Sequence, residues 1–250
     1  QGGMHPELGI EFYEDLYRNL KSEFPHIKLH TLGPPEVIHI AKKSELSVLE
    51  TLERLRAAGL DSLPGAGAEI LVDRVRDFVS PAKCSSQEWL DVMRLAHQIN
   101  LPTSATMMFG HVETEEERIR HLISLREVQE EVPDGHYGFI NFVPWPFMDD
   151  GTNLKLKSKI SNTTDAADYL RLIAISRLLL TNIPNIQASW LTVGPSVGQL
   201  ALHAGANDFG SIMIEENVVS SAGANFQMDS EGIKRCIKEA GFIPYRRNQK

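Results

Sequence analysis

Three helix starts have the same form in this sequence: a hydroxyl residue followed three positions later by glutamate. They are Ser47 with Glu50, Ser85 with Glu88, and Thr114 with Glu117. In such a capping box, the hydroxyl and the carboxylate each accept a backbone N–H that the first turn of a helix leaves unpaired. An apolar pattern of helical period follows each box, so the sequence predicts three amphipathic helices.

Short apolar segments alternate with these helices along the chain. The predicted strands are Ile27–Thr31, Asp61–Leu63, Thr103–Met108, Gly138–Val143, Ile186–Ser189 and Asp208–Met213, and further helices are expected near Glu7–Phe24, Thr164–Asn182, Val197–Ala204 and Asp229–Ala240. Strands separated by helices indicate parallel βα units. We expect an α/β fold, an incomplete TIM-like (β/α) barrel of about six parallel strands with outer helices. It would be a single partial domain over residues 1–250 that lacks its first strand. A doubly wound sheet is the alternative, which the lack of a G-x-G-x-x-G fingerprint disfavours.

The composition excludes several classes of partner. The chain has 33 acidic and 25 basic residues, a net charge of −8, and no basic cluster interleaved with aromatic residues, so nucleic acid is not expected. The apolar runs are far too short to span a bilayer, and the first residues have no signal-peptide features, so no membrane partner is expected. Two cysteines give no disulfide framework. A cytoplasmic protein is therefore expected.

Polar residues share one face of several predicted strands. Because alternate residues of a strand point to opposite sides, one face carries Lys28 with His30, Ser104 with Thr106, Asn141, and Gln187 with Ser189. Positions inside a barrel are usually branched and apolar, and a buried polar group without a partner costs about 1–3 kcal/mol. The pattern favours a polar ligand inside the barrel. A polar network satisfied internally is the alternative.

The segments that follow the predicted strands have unusual sequences, and functional residues of such barrels lie at these strand ends. They are H-x-x-x-P-P-E at 30–36, G-A-E-I-L at 67–71, M-M-F-G-H-V-E-T at 107–114, F-x-P-W-P-F at 142–147, N-I-Q-A-S-W at 185–190 and G-A-N-D-F-G-S at 205–211, after Q-G-G at 1–3. In this order they closely resemble the cyclic dehypoxanthine futalosine synthase family, from Gln1 to about Tyr245. Aminofutalosine synthases and deazaflavin-forming F420-precursor synthases are related families, expected to differ at the P-W-P-F and Q-A-S-W stretches.

The resemblance implies a radical S-adenosylmethionine (SAM) enzyme of the futalosine route to menaquinone. In that reaction the 5′-deoxyadenosyl radical removes hydrogen from the ribose C4′ of dehypoxanthine futalosine, and the sugar radical attacks the benzoate ring. Loss of an electron and a proton then gives cyclic dehypoxanthine futalosine. The implied cofactors are SAM and a 4Fe-4S cluster. The implied partners are a nucleoside-like small molecule and an electron donor such as flavodoxin or ferredoxin.

The cluster motif of the family has no counterpart in this sequence. The family uses C-x-x-x-C-x-x-C, in which three thiolates hold three irons. Cys84 and Cys236 are the only cysteines and belong to no such motif. Both are expected to be structural thiols, no metal ligand is assigned, and the cluster ligands are expected upstream of Gln1. The sequence is accordingly expected to begin inside the domain, and this polypeptide is expected to be inactive alone.

Residue roles follow from the resemblance and from the strand ends. We expect acid–base catalysis by His30 paired with Glu36, or by His111; cofactor binding by Gly2, Gly3, Glu69 and Thr106; and substrate binding by Asn141, Gln187, Ser189, Asp208 and Glu216. The structural alternatives are a plain turn at the glycines, a helix cap at the acidic residues and a hydrogen-bonded structural histidine. His97 and His121 lie on predicted helices and are expected to face solvent.

Three other functions stay open. The chain could belong to a sister radical enzyme, which substrate assays would distinguish. It could be a cluster-free barrel hydrolase or aldolase, for which Lys28 is a poor Schiff-base candidate because it lies within a predicted strand. It could also be a non-catalytic barrel that binds a nucleoside or serves as a scaffold. Borohydride trapping with carbonyl substrates would test the aldolase.

Overall fold

The computed structural model describes residues 3–161, 163–212, 220–223 and 226–247. Within these ranges the chain is an α/β protein that divides into two compact units. Unit 1 comprises Gln1–Met107, Thr114–Phe142 and Leu180–Pro184, and unit 2 comprises Met108–Glu113, Val143–Leu179 and Asn185–Lys250. The single domain expected over residues 1–250 stays a prediction.

Unit 1 contains the helices that begin with capping boxes. Its helices are α1 (Ile10–Glu23), α2 (Pro34–Lys43), α3 (Val48–Ala58), α4 (Asp73–Val79), α5 (Ser86–Gln98) and α6 (Glu115–Glu130). All three predicted boxes are confirmed, since Ser47, Ser85 and Thr114 each accept the N–H of the glutamate three residues on. Helix α2 shortens the expected loop at 30–36, because it begins at Pro34, whose fixed φ suits the first helical position.

Unit 2 contains shorter elements. They are α7 (Asn153–Ser158), α8 (Ala166–Leu179), α9 (Trp190–Val193), α10 (Pro195–Ala204), a single 3-10 turn at Ser220–Ala222 and α11 (Ser230–Glu239). Tyr169 of α8 is buried and stacks on Phe109, with ring centroids 6.3 Å apart. Across the described part of the chain, no helix combines the length and the apolar character that crossing a membrane requires.

Six strand positions follow one another in chain order. Strands β1 (Thr103–Phe109), β2 (Phe139–Pro146) and β3 (Asn185–Ile186) form a sheet in the order β1-β2-β3. Single parallel bridges add the other neighbours: His30 with Ser62, Leu63 with Thr103, and Gln187 with Asp208. Strand order equal to chain order is typical of (β/α) barrels, whereas doubly wound sheets reverse at a switch point. The predicted α/β fold class is confirmed.

Three predicted strands pair only through isolated bridges. Ile27–Thr31, Asp61–Leu63 and Asp208–Met213 are reduced to bridges at His30, at Ser62 and Leu63, and at Asp208, while Met213 lies outside the described residues. Apolar alternation predicts a strand wherever a segment is extended, but a ladder also needs hydrogen bonds to a neighbour. Ile27 is exposed, so the first of these segments begins outside the packed core.

The prediction that His97 and His121 face solvent is wrong. Their exposed fractions are 1% and 0%. His97 continues the buried stripe of Trp89, Val92, Met93 and Ala96 along α5, and its ring packs edge-on against Phe139 at 4.8 Å. Burial lowers the pKa of His97 to about 4. Burial, with the charge of Arg76 as a second cause, lowers the pKa of His121 to about 3. Both rings are therefore neutral parts of the core at neutral pH.

Candidate functional site

The segment that follows the first strand position is fastened by side chains on both sides. His30 Nδ1 lies 2.7 Å from Ser62 Oγ, and the next residue, Thr31, hydrogen-bonds through its hydroxyl to Tyr17 of α1. Burial raises the pKa of Tyr17 to about 12, so this phenol stays protonated at any physiological pH. His30 as a whole residue is half-buried.

Glu36 accepts backbone N–H groups on both carboxylate oxygens. Its Oε2 accepts the N–H of Gly33 at 2.6 Å, and its Oε1 accepts the N–H of Gly3 at 2.9 Å. Glu36 lies in the first turn of α2 and is 7% exposed. The structure therefore joins Glu36 to Gly3, two residues predicted separately as catalytic and cofactor-binding. Gly2 lies outside the described residues.

The loop at 64–69 is held at its first glycine by two side chains of β1. Ser104 Oγ accepts the N–H of Gly65 at 3.0 Å, and Thr106 Oγ1 donates to the carbonyl of Gly65 at 2.5 Å. Only glycine fits here, because a Cβ at this position would lie 2.4 Å from the carbonyl oxygen of Ser104. The Thr106 hydroxyl, predicted to bind cofactor, thus gives its hydrogen to the loop.

The rest of this loop is held by three more side chains from outside it. Trp89 Nε1 donates to the Ala66 carbonyl at 3.2 Å. The Arg76 guanidinium is 2% exposed and donates to the carbonyls of Gly67, Ala68 and Cys84 at 2.5–2.9 Å. Lys83 Nζ lies 2.5 Å from Oε1 of Glu69, whose φ of 48° is in the left-handed region. The predicted cofactor ligand Glu69 is therefore presented by a fixed backbone.

Asn141 has a buried acceptor with no partner. The residue lies on β2 in unit 1 and is 5% exposed, and its Oδ1 makes no hydrogen bond within the described residues. Buried polar atoms in native proteins are nearly always paired with protein, water or a ligand. An unpaired Oδ1 is therefore the strongest mark of a ligand contact among the predicted substrate residues.

His111 and Glu113 form an enclosed pair in unit 2. His111 Nδ1 lies 3.0 Å from Glu113 Oε2, and neither side chain reaches solvent. His111 Nε2 lies 3.0 Å from the Met108 carbonyl, which only accepts, so Nε2 carries a hydrogen. Nδ1 also lies 2.8 Å from the Val112 N–H. A neutral ring can thus accept from Val112, and a charged ring can donate to Glu113.

The remaining predicted substrate residues lie in unit 2. Ser189 Oγ donates to the Pro144 carbonyl at 2.7 Å, and its N–H donates to the Tyr169 hydroxyl at 2.8 Å. Gln187 is half-buried and pairs with Asp208 through a backbone bridge. Asp208 Oδ1 accepts the Gly210 N–H at 2.7 Å. Glu216 lies outside the described residues.

Asp208 also forms an ion pair with the end of the described chain. Arg247 Nη1 lies 2.9 Å from Asp208 Oδ2, although the angles are not those of a hydrogen bond. The short distance between opposite charges outweighs the poor angle, since Coulomb attraction depends on separation alone. Asp208 is thus a buried carboxylate that already holds a cation.

Two family models match the chain. One, described as the radical SAM superfamily, matches residues 1–125, half of the chain. The chain belongs to the radical SAM superfamily. A second model, described as the CofH/MqnC C-terminal region, matches residues 136–250.

Relatives with two different activities align with almost the whole chain. Over 99% of its length it is 45% identical to cyclic dehypoxanthine futalosine synthase of Streptomyces coelicolor and covers 60% of that protein. Over 99% of its length it is also 44% identical to 5-amino-6-(D-ribitylamino)uracil–L-tyrosine 4-hydroxyphenyl transferase of Methanothermobacter thermautotrophicus, covering 67%. The chain therefore spans about three-fifths to two-thirds of the length of these relatives.

A solved structure shares the fold. The crystal structure of methylornithine synthase aligns with a TM-score of 0.61 and 21% sequence identity, and the alignment covers 94% of this chain and 64% of that one. At this identity the likeness concerns the fold alone. It agrees with the α/β class and the strand order described above.

The residues of this chain do not fit the 4Fe-4S cluster that the superfamily implies. Such a cluster needs three convergent thiolates beside SAM, and the sequence has two cysteines. Cys84 lies in unit 1 beside Arg76, and Cys236 lies in unit 2 beside Met228. Burial raises the pKa of both thiols, which opposes the thiolate form that binds iron.

The residues of unit 1 do fit the polar groups of SAM. The amino group and the ribose hydroxyls of SAM are hydrogen-bond donors. Unit 1 offers matching acceptors: the Glu69 carboxylate, which already binds the ammonium of Lys83, and the unpaired Oδ1 of Asn141 on β2. The chemistry of these groups therefore agrees with the predicted cofactor role of Glu69.

Four residues that the sequence did not single out complete these arrangements. They are Arg76, Lys83, Glu113 and Tyr169. Glu113 was detectable, because a glutamate three residues after Gly110 and one before the helix cap Thr114 is placed to accept N–H groups of its own turn. The other three act over separations of 8–20 residues, and no local spacing reveals them.

Proposed function

We propose that this chain forms the ligand-binding part of a radical SAM enzyme that converts dehypoxanthine futalosine to cyclic dehypoxanthine futalosine in menaquinone biosynthesis. The observation that supports the choice is the presence of two stretches expected to distinguish this family from its sisters, which also contact each other. Ser189, in Q-A-S-W, donates to the carbonyl of Pro144, in P-W-P-F. These stretches are thus in contact within unit 2. The 45% identity to the Streptomyces synthase supports the same function.

The acceptors of unit 1 would hold the cofactor. Glu69 and Gly3 would contact the amino-acid end of SAM, and Thr106 would keep the loop of Glu69 in place through Gly65. When bound, SAM supplies the 5′-deoxyadenosyl group for hydrogen abstraction. Because the loop at 64–69 is held by five side chains, little ordering would be needed on binding, which favours affinity.

Polar groups on and near the strands would orient the substrate. Within unit 1, Asn141 would accept a sugar hydroxyl at its unpaired Oδ1. The substrate-binding roles of Gln187 and Ser189, which lie in unit 2, stay predictions from the resemblance. Asp208 would bind substrate only if Arg247 moves or takes part, because the two form an ion pair. The proposed role of Glu216 concerns a residue outside the described ranges.

His30 is the better of the two histidines for accepting the proton released as the benzoate ring regains aromaticity. The residue is half-buried, and its Nδ1 lies 2.7 Å from Ser62 Oγ, which would orient the ring. His111 is enclosed beside Glu113 and would act through the turn that it stabilises. A general base must lie within hydrogen-bonding reach of the proton that it removes.

The tyrosine-dependent transferase is the second candidate, since its members are equally similar to this chain. One relative of that activity from Methanococcoides burtonii is 45% identical over 99% of the chain. The two candidates differ in substrate: a nucleoside carrying a benzoate, or 5-amino-6-(D-ribitylamino)uracil together with tyrosine.

An assay with both substrate sets tests the proposal. The longest native polypeptide that carries this sequence would be reconstituted anaerobically with iron and sulfide and supplied with SAM and reductant, flavodoxin or ferredoxin being the proposed cytoplasmic donors. We expect 5′-deoxyadenosine and a cyclised product lighter than dehypoxanthine futalosine by two hydrogen atoms. Turnover of the uracil and tyrosine alone would replace the proposal by the second candidate, and the absence of any turnover would refute both.

A further inference from the structure

Four helices of unit 1 carry a glutamate in the first turn that returns to the residue capping the helix. The residues are Glu36 of α2, Glu50 of α3, Glu88 of α5 and Glu117 of α6. In the last three, the cap is a serine or threonine, and the glutamate accepts its backbone N–H at 2.8–2.9 Å. These contacts are local and serve to begin the helix.

Glu36 differs from the other three in what its second oxygen binds. The cap of α2 is Gly33, which has no hydroxyl, and the second carboxylate oxygen reaches the N–H of Gly3, 33 residues away in sequence. Glu36 is also buried, whereas Glu50 is exposed. One carboxylate thus begins a helix and fixes a distant backbone segment.

Close packing explains why the cap is glycine. A Cβ at Gly33 would lie 2.9 Å from both the Cβ and the carbonyl oxygen of Ala66, closer than real Cβ contacts allow. Gly33 therefore lies against the loop that presents Glu69. The carboxylate of Glu36, which accepts the N–H of Gly33, also accepts the N–H of Gly3. Gly3 and the Glu69 loop therefore both contact the start of α2.

Gly3 itself needs an external hold. Its φ is 74°, in the left-handed region, and a Cβ there would meet nothing within 4 Å. Among the described residues, no atom near the Cβ position therefore favours this conformation. Glycine samples left- and right-handed regions about equally when unrestrained, so the bond from its N–H to Glu36 is what fixes its orientation.

We propose that Glu36 is a positioning residue, which orients the Gly3 segment for the amino-acid end of SAM and is not the proton carrier of the reaction. This inference rests on the proposed function, which places SAM against Gly3. It replaces the predicted pairing of Glu36 with His30 in acid–base catalysis. Both carboxylate oxygens are engaged by backbone N–H groups, which suits a fixed anchor better than a group that exchanges protons.

Hydrogen exchange tests the hold on Gly3 without any ligand. In the reconstituted native polypeptide, Glu36→Gln should increase exchange of the Gly3 amide roughly tenfold, since the variant replaces a hydrogen bond to a charged carboxylate by a weaker one to a neutral amide. Glu50→Gln makes the same change at the same helix position and should leave Gly3 unaffected. Unchanged exchange in Glu36→Gln, with an unaltered melting temperature, would overturn the inference.

Equilibrium dialysis with SAM tests the consequence. We expect Glu36→Gln to raise the Kd and the KM for SAM roughly tenfold, and to leave kcat at saturating SAM and its pH profile unchanged. Glu50→Gln should change none of these values. A lower kcat with an altered pH profile and an unchanged Kd would show a proton carrier and would overturn the inference.

A second variant covers the case in which Glu36→Gln does not fold. Gly3→Ala leaves Glu36 intact and meets no atom, but it disfavours the left-handed φ, so it should also raise the Kd for SAM. If the unaltered protein binds no SAM, the proposed function fails and the inference falls with it. If it binds SAM and neither variant that folds weakens binding, only the inference fails.

Discussion

Two strand-end segments of this protein are rigid for opposite reasons. The loop at 64–69 in unit 1 contributes almost no stabilising side chain of its own: Ser104, Thr106, Trp89, Arg76 and Lys83 reach it from other elements. The turn at 110–113 in unit 2 is stabilised from within. There Glu113 accepts the N–H groups of Gly110 and His111 and lies against the His111 ring.

The two segments should therefore differ in which substitutions they tolerate. The self-contained turn depends on residues adjacent in sequence, so its motif is compact and its perturbation should stay local. The loop at 64–69 consists of small residues that bring the backbone close to its neighbours, and its shape is set by long-range donors. Changes outside the loop should therefore disturb Glu69 without altering any residue of the motif that contains it.

Removing the central donor of the loop should have the largest effect. Arg76→Met leaves three carbonyls without a buried donor, and each unsatisfied buried group costs about 1–3 kcal/mol, so we expect unfolding free energy to fall by about 4 kcal/mol. Urea denaturation measures this. Arg171→Met removes an exposed arginine from an ion pair on α8 and should cost less than about 0.5 kcal/mol. Equal losses in the two variants would contradict the assigned role of Arg76.

The corresponding change in the self-contained turn should be smaller and more local. Glu113→Gln retains one acceptor oxygen but places an amide NH₂ among donors, which should cost about 2 kcal/mol. Hydrogen exchange should increase at 108–113 and stay unchanged at 64–69. Glu115→Gln, an exposed glutamate two residues on, serves as the control. Spread of the effect into the loop at 64–69 would remove the distinction between the two segments.

A methyl group should test the close approach of the loop to β1. Gly65→Ala places a Cβ 2.4 Å from the Ser104 carbonyl oxygen, and relief requires a backbone shift that costs about 1–3 kcal/mol. At Gly9, the N-cap of α1, an added Cβ meets only the side-chain ends of Glu11 and Ser44, at 3.2 Å, so Gly9→Ala should cost less than Gly65→Ala. A melting temperature for Gly65→Ala equal to that of Gly9→Ala would show that the loop is adaptable.

Acid should destabilise the segment that follows the loop at 64–69, because His121 binds the backbone there. His121 Nδ1 accepts the N–H of Leu71, and its pKa is lowered from 6.5 to about 3. The unfolded chain therefore takes up this proton first, so the stability that neutral His121 provides is complete above about pH 6.5 and falls as pH decreases toward 3. His121→Asn keeps an acceptor near Nδ1 and should weaken this dependence, while buried His97, whose pKa is lowered to about 4, still contributes. His26→Asn, at an exposed histidine, should not, and identical pH profiles in all three proteins would contradict this account.

The elements of the fold were predictable wherever their signals are local. Capping boxes predicted the starts of α3, α5 and α6, and short apolar segments between the helices located all six strand positions. The lengths of the weak strands were not predictable, because pairing depends on neighbours that a single segment does not reveal. The burial of His97 and His121 was detectable from their place on apolar helical stripes. Exposure was predicted because histidine is a polar residue type.

The candidate site contains residues that the sequence singled out, and their roles stay predictions; their contacts with one another were not predictable. The sequence predicted a catalytic role for Glu36 and a cofactor-binding role for Gly3, Glu69 and Thr106. Glu36 binds Gly3, 33 residues away in sequence, and Thr106 binds Gly65 of the Glu69 loop, 41 residues away. Such contacts depend on the tertiary fold, and no motif encodes them.

Isotope transfer tests the central claim, that this chain belongs to a cyclase acting on dehypoxanthine futalosine. The reconstituted native polypeptide would be given SAM, reductant and dehypoxanthine futalosine deuterated at C4′, and the nucleoside products would be analysed by mass spectrometry. The account predicts one deuterium in 5′-deoxyadenosine and a cyclised product without it. Formation of 5′-deoxyadenosine free of deuterium, with the labelled substrate unchanged, would contradict the account.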